Sequence, residues 1–212
     1  MTKEYKTLAG EGFFELVEKK SRFLGYAIPC ADADTADAFI ARIKAEHPDA
    51  RHHVFAYACG GLDSGAEVRK MSDDGEPQGT GGVPCLDVIT KKGVRCAAVV
   101  VVRYFGGILL GAPGLVRAYG KAAAGAVDAA GECTMIRCRR VTVTTDYQLY
   151  GKLTRTAENS GYKMEPPVFD ENVSFSLIIP EDEAETYAAY LRDFSNAKAV
   201  VEVSEDAEYV MG

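Results

Sequence analysis

An unbroken apolar run that leads into a glycine-rich loop constrains the fold of this chain more than any other feature. Residues 97–102 are all apolar and include four consecutive valines. Such a run predicts a central strand covered on both faces, because a strand with one exposed face would alternate apolar and polar residues. Gly106 and Gly107 then break the run, since glycine tolerates positive φ. The sequence therefore predicts a buried strand followed by a tight loop.

A helix is predicted to follow this loop and to end at Gly131. Pro113, between Gly111 and Gly114, suits a first helical position. One face of the helix then carries residues spaced three and four apart, namely Leu115, Tyr119, Ala122, Ala126 and Ala130. Arg117 lies on another face. Free N–H groups at a helix start favour anions, so the loop and the helix start are a candidate ligand site.

Another glycine-rich stretch, residues 72–84, contains Asp73, Asp74, Glu76 and Thr80. It comes earlier in the chain and is called the first loop, and the loop at residues 106–114 is called the second loop. Neither stretch matches a phosphate-binding motif, because GxxxxGK[ST] is absent and no GxGxxG follows a strand. Sequence reasoning predicts that two tight loops meet near one site, and it leaves the role of that site open.

The charged residues of the two loops allow two interpretations each. Arg103 and Arg117 flank the second loop, where either can meet a phosphate; alternatively, Arg103 binds a carboxylate such as Asp73 or Asp74. The three acids of the first loop suit a divalent cation, but an Asp-Asp-Gly turn is the favoured interpretation. No metal site and no cofactor are predicted.

The remaining candidates are a histidine, a group of aromatic residues and an apolar segment. His52 is either a general base or, as we favour, a half-buried histidine with satisfied hydrogen bonds. Tyr104, Phe105 and Tyr119 can stack on bases, although aromatic residues beside a valine strand more often belong to a core. The apolar segment 108–110 would mark a protein-partner site if it were exposed. No residue has a recognisable nucleophile context, and no catalytic residue is predicted.

Composition predicts a cytoplasmic protein with no membrane association. No apolar run approaches the roughly 18 residues that cross a bilayer, and the first residues lack the apolar core of a signal peptide. The net charge of −7 is uneven: residues 1–139 carry 18 Lys and Arg against 17 Asp and Glu, and residues 140–212 carry 6 against 14. The first part, at +1, is therefore the better candidate for a local basic surface.

The chain is predicted to divide into residues 1–136 and residues 137–212. The second part has the element order βαββαβ, which is typical of a ferredoxin-like plait. In it, residues 140–145, 162–169, 173–179 and 198–203 are predicted strands, and residues 147–159 and 180–194 are predicted helices.

Several motifs resemble those of the YigZ/Impact family. They are residues 19–23 (KKSRF), His52 with Ala56 and Tyr57, residues 72–77 (SDDGEP), residues 103–107 (RYFGG), residues 110–111 and residues 114–119 (GLVRAY). The resemblance covers most of residues 12–130, and the C-terminal plait resembles the bacterial branch. It implies an α+β protein whose N-terminal fold is like the second domain of a small-subunit ribosomal protein.

The resemblance also implies a role in translation, since the eukaryotic branch regulates translation initiation. We therefore expect a non-enzymatic factor that acts in translation or its regulation. It would bind RNA, the ribosome or a protein partner through the paired loops. The alternative is an enzyme acting on a phosphorylated small molecule, with Arg103 and Arg117 as anion clamps and an acidic residue as base.

Overall fold

The computed structural model describes residues 3–60 and 66–212, which form two compact units. The first unit is Tyr5–Cys133, and the second joins the start of the chain, up to Glu4, to Thr134–Gly212. Both units combine antiparallel sheets with helices, which confirms the predicted α+β class. Among the described residues, no helix has the length and apolar composition that a membrane crossing requires.

The first unit is built on a five-stranded antiparallel sheet. After a short strand β1 (Glu4–Leu8) that was not predicted, the sheet strands are β2 (Gly12–Glu18), β3 (Ser21–Pro29), β4 (His52–Gly60), β5 (Glu67–Ser72) and β6 (Ala97–Tyr104). Their spatial order is β2-β3-β6-β4-β5, so β6 is central.

Helices cover both faces of this sheet, as the valine run predicts. Val99 and Val101 face a core shared with α2 (Gly82–Lys91) and α3 (Ala112–Ala130). Val100 and Val102 face the other core, which includes the buried residues of α1 (Ala33–Glu46). Every residue of β6 up to position 103 is buried. Because both faces of the strand are covered, its sequence does not alternate between apolar and polar residues.

The second unit is a ferredoxin-like plait, and its predicted element order is confirmed. Its elements are β7 (Glu132–Thr145), α4 (Tyr147–Asn159), β8 (Lys163–Met164), β9 (Val168–Phe169), β10 (Val173–Pro180), α5 (Glu181–Phe194) and β11 (Val200–Met211). Strand β7 pairs with β10 on one side and β11 on the other, and β8 and β9 both pair with β10.

Three strand predictions in this unit were wrong in their extent. The single strand predicted over residues 162–169 is split into β8 and β9, because Pro166 and Pro167 between them have no N–H to donate to a ladder. The first and last strands, β7 and β11, extend well beyond residues 140–145 and 198–203. Their ladder continues past a bulge between Val203 and Ala207.

Candidate functional site

The first glycine-rich loop is organised around the carboxylate of Asp73. Its Oδ1 accepts hydrogen bonds from the N–H groups of Gly81 (2.9 Å) and Gly82 (2.8 Å), and its Oδ2 accepts one from Gly79 (2.8 Å). Burial opposes the charged form, but these three donors outweigh it and hold the pKa of Asp73 below its ordinary value. Since α2 begins at Gly82, a side chain of the protein itself occupies the anion position at this helix start.

Asp74 also stabilises this turn through hydrogen bonds of its carboxylate. Its Oδ2 accepts from the backbone N–H of His53 at 2.7 Å, and its Oδ1 accepts from Lys44 Nζ at 3.3 Å. Its φ of 44° places it in the left-handed region, which aspartate tolerates. Among the residues that the structure describes, no group of three or more His, Cys, Asp or Glu side chains is arranged to hold a metal ion. The geometry agrees with the turn interpretation of Asp73 and Asp74.

His52 is half-buried beside the same turn. Its Nδ1 lies 2.8 Å from the carbonyl oxygen of Asp74, so this nitrogen carries the proton and donates it to the carbonyl. The other ring nitrogen, Nε2, lies 3.8 Å from Glu76 Oε1. One ring nitrogen of this half-buried histidine therefore has a hydrogen-bond partner, and the choice between a structural histidine and a general base stays a prediction.

A buried ionic network joins the first loop to β6 and α3. Arg103 Nη1 donates to Glu76 Oε1 at 2.5 Å, and the hydroxyl of Tyr119 donates to the same oxygen at 2.8 Å. The side chains of Glu76 and Arg103 are only 4% and 7% exposed. The rings of Phe23 and Phe105 lie 5.4 and 5.5 Å from the guanidinium carbon. The first loop therefore contacts β6 and α3, the two elements that flank the second loop, through a buried carboxylate–guanidinium pair, and a shared ligand site of the two loops stays a prediction.

This network corrects two of the sequence interpretations. The carboxylate that binds Arg103 is Glu76 rather than Asp73 or Asp74, and the buried guanidinium is not displayed to a surface ligand. Tyr119 is completely buried and its ring packs edge to face against Phe23, so it cannot stack on a base. Burial, followed by the nearby charge of Glu76, raises the pKa of Tyr119, which therefore stays a neutral donor.

Thr80, another predicted site residue, is hydrogen-bonded within the first loop. Its Oγ1 donates to the carbonyl oxygen of Pro77 at 2.6 Å, and its backbone N–H donates to the same oxygen at 3.0 Å. Because the side chain is buried, Thr80 closes the turn that precedes α2. It presents no hydroxyl to a ligand.

The second glycine-rich loop folds closely against the turn between β2 and β3. A Cβ atom on Gly106 would lie 2.0 Å from the carbonyl carbon of Lys20, and the N–H of Gly106 donates to Ser21 Oγ at 3.1 Å. Gly107 and Gly111 have φ values of 84° and 71°, which glycine adopts without strain. This contact brings the exposed Lys19-Lys20 turn beside the loop.

The start of α3 offers few free N–H groups. The N–H groups of Gly114 and Leu115 both donate to the carbonyl oxygen of Gly111 at 3.0 Å. Pro113 has no N–H at all. The backbone cradle expected here is therefore largely absent, and ligand binding must depend on side chains.

Such side chains line a pocket of about 250 Å³ beside α3. We name it the cationic pocket, and its walls are Leu16, Glu18, Lys19, Leu110, Gly114, Arg117, Ala118 and Lys121. Lys19, Arg117 and Lys121 are exposed, and within the described part of the chain none of the three forms an ion pair. Arg117 and Lys121 lie one helical turn apart, so both project from the same side of α3.

Of the predicted site residues, the cationic pocket contains Gly114 and Arg117, whereas Arg103, Glu76 and Tyr119 form the buried network, and His52 lies beside it. Sequence reasoning missed Lys19 and Lys121 as site residues. The signal for Lys121 was its i,i+4 spacing from Arg117. Lys19 comes from a distant turn, and no local pattern predicts that it joins them.

Next to this pocket, the second loop exposes apolar side chains. Phe105 is 45% exposed, Ile108 43% and Leu109 81%. The condition set for a protein-partner surface, that segment 108–110 be exposed, is met by Ile108 and Leu109; Leu110 is half-buried in the wall of the cationic pocket.

Comparisons with known proteins identify both parts of the chain. Residues 19–127 match the Impact N-terminal domain, and residues 143–198 match a domain of unknown function, DUF1949. A crystal structure described as that of a hypothetical protein is 30% identical, with a TM-score of 0.64, and the similarity covers 97% of this chain and 100% of that one. These matches are consistent with a first unit like the second domain of a ribosomal protein.

Curated relatives match over most of their length. The IMPACT family member YvyE of Bacillus subtilis is 34% identical, over 97% of this chain and 93% of the relative. The IMPACT family member YigZ of Escherichia coli is 38% identical, over 84% of this chain and 86% of the relative. This protein therefore belongs to the IMPACT family.

Proposed function

We propose that this protein is a non-enzymatic factor in the regulation of translation that binds RNA, free or in the ribosome, through the cationic pocket. The observation that carries the proposal is that Lys19, Arg117 and Lys121 share one exposed pocket without carboxylate partners among the described residues. Lys and Arg contacts to phosphates supply much of the affinity of proteins for nucleic acid. IMPACT family membership is linked to translation regulation in general.

The charge distribution supports a focused site rather than a broad basic face. With a net charge of −7, the protein as a whole repels a polyanion, so attraction must come from a local concentration of positive charge. The cationic pocket provides this concentration on the part of the chain that is nearly neutral. Leu16, Leu110 and Ala118 add apolar wall that suits a ribose or a base edge.

An enzyme acting on a phosphorylated small molecule is the second candidate, favoured by the concave shape of the cationic pocket. In that case Arg117 would hold the phosphate, and Glu18 in the pocket wall would be the acidic residue available as base. Arg103 does not serve as the second anion clamp, because Glu76 already binds it in the interior. The exposed Ile108 and Leu109 favour a protein partner as a third candidate.

Binding measured across a salt series tests the RNA proposal. Wild-type protein is titrated with a single-stranded polyuridine probe and with purified ribosomes at increasing potassium chloride. We expect the affinity to fall steeply with salt, and we expect Arg117→Ala and Lys121→Ala each to weaken binding. Each lost phosphate contact should also reduce the log–log salt slope for the single strand by about 0.7.

Lys91→Ala is the matched control. It removes the same charge, but Lys91 Nζ bonds to Asp87 at 3.0 Å at the end of α2 and lies outside the cationic pocket. Salt-insensitive or absent RNA binding would refute the RNA proposal. Saturable binding of pyrophosphate that requires Arg117 would then support the enzyme, and binding of a protein partner that Leu109→Ser abolishes would support an interaction module.

A further inference from the structure

The second unit contains a pocket of its own, and tyrosine rings form most of its wall. Its volume is about 240 Å³, and it is lined by Tyr162, Asp182, Glu183, Thr186, Tyr187 and Tyr190. The rings of Tyr162 and Tyr187 meet edge to face with centroids 5.0 Å apart, and those of Tyr187 and Tyr190 are tilted at 5.6 Å. We name this the aromatic pocket.

The tyrosines of this pocket are not the core face of α5. That face consists of Ala184, Ala188 and Leu191, all fully buried. Tyr162 and Tyr187 are half-buried and pack partly against the core, and Tyr190 is 47% exposed. Tyr187 and Tyr190 on α5 and Tyr162, which precedes β8, thus leave part of each ring outside the core and around one open pocket.

Hydrogen bonds hold two of the rings in position. The hydroxyl of Tyr162 donates to Glu183 Oε2 at 2.5 Å, and the hydroxyl of Tyr187 donates to the carbonyl oxygen of Thr156 at 3.3 Å. Burial and the bond to Glu183 raise the pKa of Tyr162 to about 12, so its ring stays neutral at physiological pH. A ligand would therefore meet rings that are already oriented, which lowers the entropic cost of binding.

The chemistry of the wall selects the charge of the ligand. No lysine or arginine lines the aromatic pocket, whereas two carboxylates do. The faces of tyrosine rings carry negative electrostatic potential and attract cations. The surroundings have the same sign, since residues 140–212 hold 6 Lys and Arg against 14 Asp and Glu. The rings and the carboxylates together favour an organic cation.

We propose that the aromatic pocket binds the guanidinium group of an arginine side chain from a basic segment of a protein partner. A guanidinium is planar, stacks on aromatic faces and donates in a fork to carboxylates, so it suits both components of the wall. Pockets for whole small ligands have volumes of roughly 300–1,000 Å³, and this pocket is smaller, which suits a single side-chain head group.

An adjoining pocket supports a peptide rather than a free small cation. It shares Tyr187 and Tyr190 and is otherwise lined by Thr156, Asn159 and Ser160, with a volume of about 280 Å³. Hydroxyl and amide groups there can bond to the backbone of a segment whose arginine occupies the aromatic pocket. The aromatic pocket and the adjoining pocket both lie in the second unit, whereas the cationic pocket lies in the first. The arginine-binding proposal therefore does not depend on the RNA proposal.

The test uses the full chain and three short peptides of otherwise identical glycine–serine sequence, containing arginine, citrulline or lysine. Citrulline keeps the shape of arginine without its charge. Dissociation constants come from NMR chemical-shift changes of the tyrosine ring protons. We expect the citrulline peptide to bind at least about tenfold more weakly than the arginine peptide, equivalent to about 1.4 kcal/mol. The lysine peptide should fall between them, because it lacks the planar fork.

Variants locate the binding. Tyr190→Ala and Glu183→Gln should each weaken arginine-peptide binding about tenfold, whereas Tyr190→Phe, which keeps the ring, should retain it. Matched controls are Tyr147→Ala, at a tyrosine of the same unit that is 56% exposed, and Glu185→Gln, at an exposed glutamate of the same helix. Neither residue lines the aromatic pocket, so neither change should matter.

Equal affinity for the arginine and citrulline peptides would overturn the proposal, and so would unchanged binding by Tyr190→Ala. Lysine binding as tight as arginine binding would overturn the guanidinium assignment. Tight binding of free N-acetyl-arginine amide, equal to that of the peptide, would overturn the choice of a peptide. Should circular dichroism show that Tyr190→Ala is unfolded, Glu183→Gln and the citrulline peptide decide the question.

Discussion

The two glycine-rich loops of the first unit look alike in sequence and differ in how their charges are used. Both contain glycines at positive φ, 77° at Gly79 and 84° at Gly107. In the first loop, the carboxylate of Asp73 accepts hydrogen bonds from three backbone N–H groups. These N–H groups are therefore already paired within the protein and are not available to a ligand. Beside the second loop, Arg117 and Lys121 are exposed without ion-pair partners in the described residues.

The difference teaches that glycine content indicates backbone curvature, whereas the placement of side chains decides whether a loop is open to a ligand. The two arginines that flank the second loop also differ in where their side chains lie. Arg103 belongs to the interior with Glu76, and Arg117 belongs to the surface. A sequence pattern that treats these arginines as equivalent clamps joins two unlike roles.

The largest expected effect separates these two arginines. Arg103→Ala should lower the free energy of unfolding by about 3–5 kcal/mol, because it leaves the Glu76 carboxylate buried without its counter-charge. Arg117→Ala, on the surface, should change it by no more than about 0.5 kcal/mol. Urea denaturation of both variants measures the difference. Similar losses of unfolding free energy in the two variants would mean that the buried Arg103–Glu76 pair stabilises the protein no more than an exposed arginine does.

Local signals in the sequence predicted most of the elements. The apolar run identified β6 as a strand covered on both faces, and Gly111 and Gly131 flank α3 as observed. The predicted limits of α4, residues 147–159, are those of the structure. Such features depend on neighbours within a few residues, which periodicity, glycine and proline report directly.

Features that depend on distant partners were not predictable in the same way. Glu76 and Arg103 are 27 positions apart, and no local pattern selects Glu76 over the neighbouring aspartates. Lys19 comes to the cationic pocket through tertiary packing, since its turn lies against the Gly106 loop and the preceding β2 lines the pocket together with α3. The ligand role of the site residues, and the independent folding of residues 137–212, stay predictions.

A smaller effect tests whether the first loop is held by a charge. Asp73→Asn should lower the free energy of unfolding at pH 7 by about 1–2 kcal/mol, since it weakens hydrogen bonds that cap α2 and leaves an amide donor facing the N–H of Gly79. The comparable change outside the loop, Asp87→Asn on the exposed side of α2, should have little effect.

The pH dependence of this difference has a definite sign. The pKa of Asp73 is lowered in the folded protein, so its stabilisation is fully present above the unfolded value of about 3.9 and is lost as the pH falls through the folded value. The gap between wild type and Asp73→Asn, measured by urea denaturation from pH 7 to pH 3, should therefore narrow below about pH 4. A gap that stayed constant would show that the charge of Asp73 is not what holds the loop.

The smallest effect concerns what the two loops share. At both Gly79 and Gly107 a Cβ atom would meet nothing within 4 Å, so substitution there adds backbone strain without a clash. Gly79→Ala and Gly107→Ala should therefore each lower the free energy of unfolding by a similar amount, about 1–2 kcal/mol. Gly151→Ala provides a control of opposite sign. That glycine lies in the interior of α4 with equally open surroundings and without a positive φ, so alanine should stabilise the protein by up to about 1 kcal/mol. A much larger loss of unfolding free energy at Gly107 than at Gly79 would mean that the two loops differ in backbone strain as well as in the placement of their charges. The comparison of the loops would then have to include backbone strain.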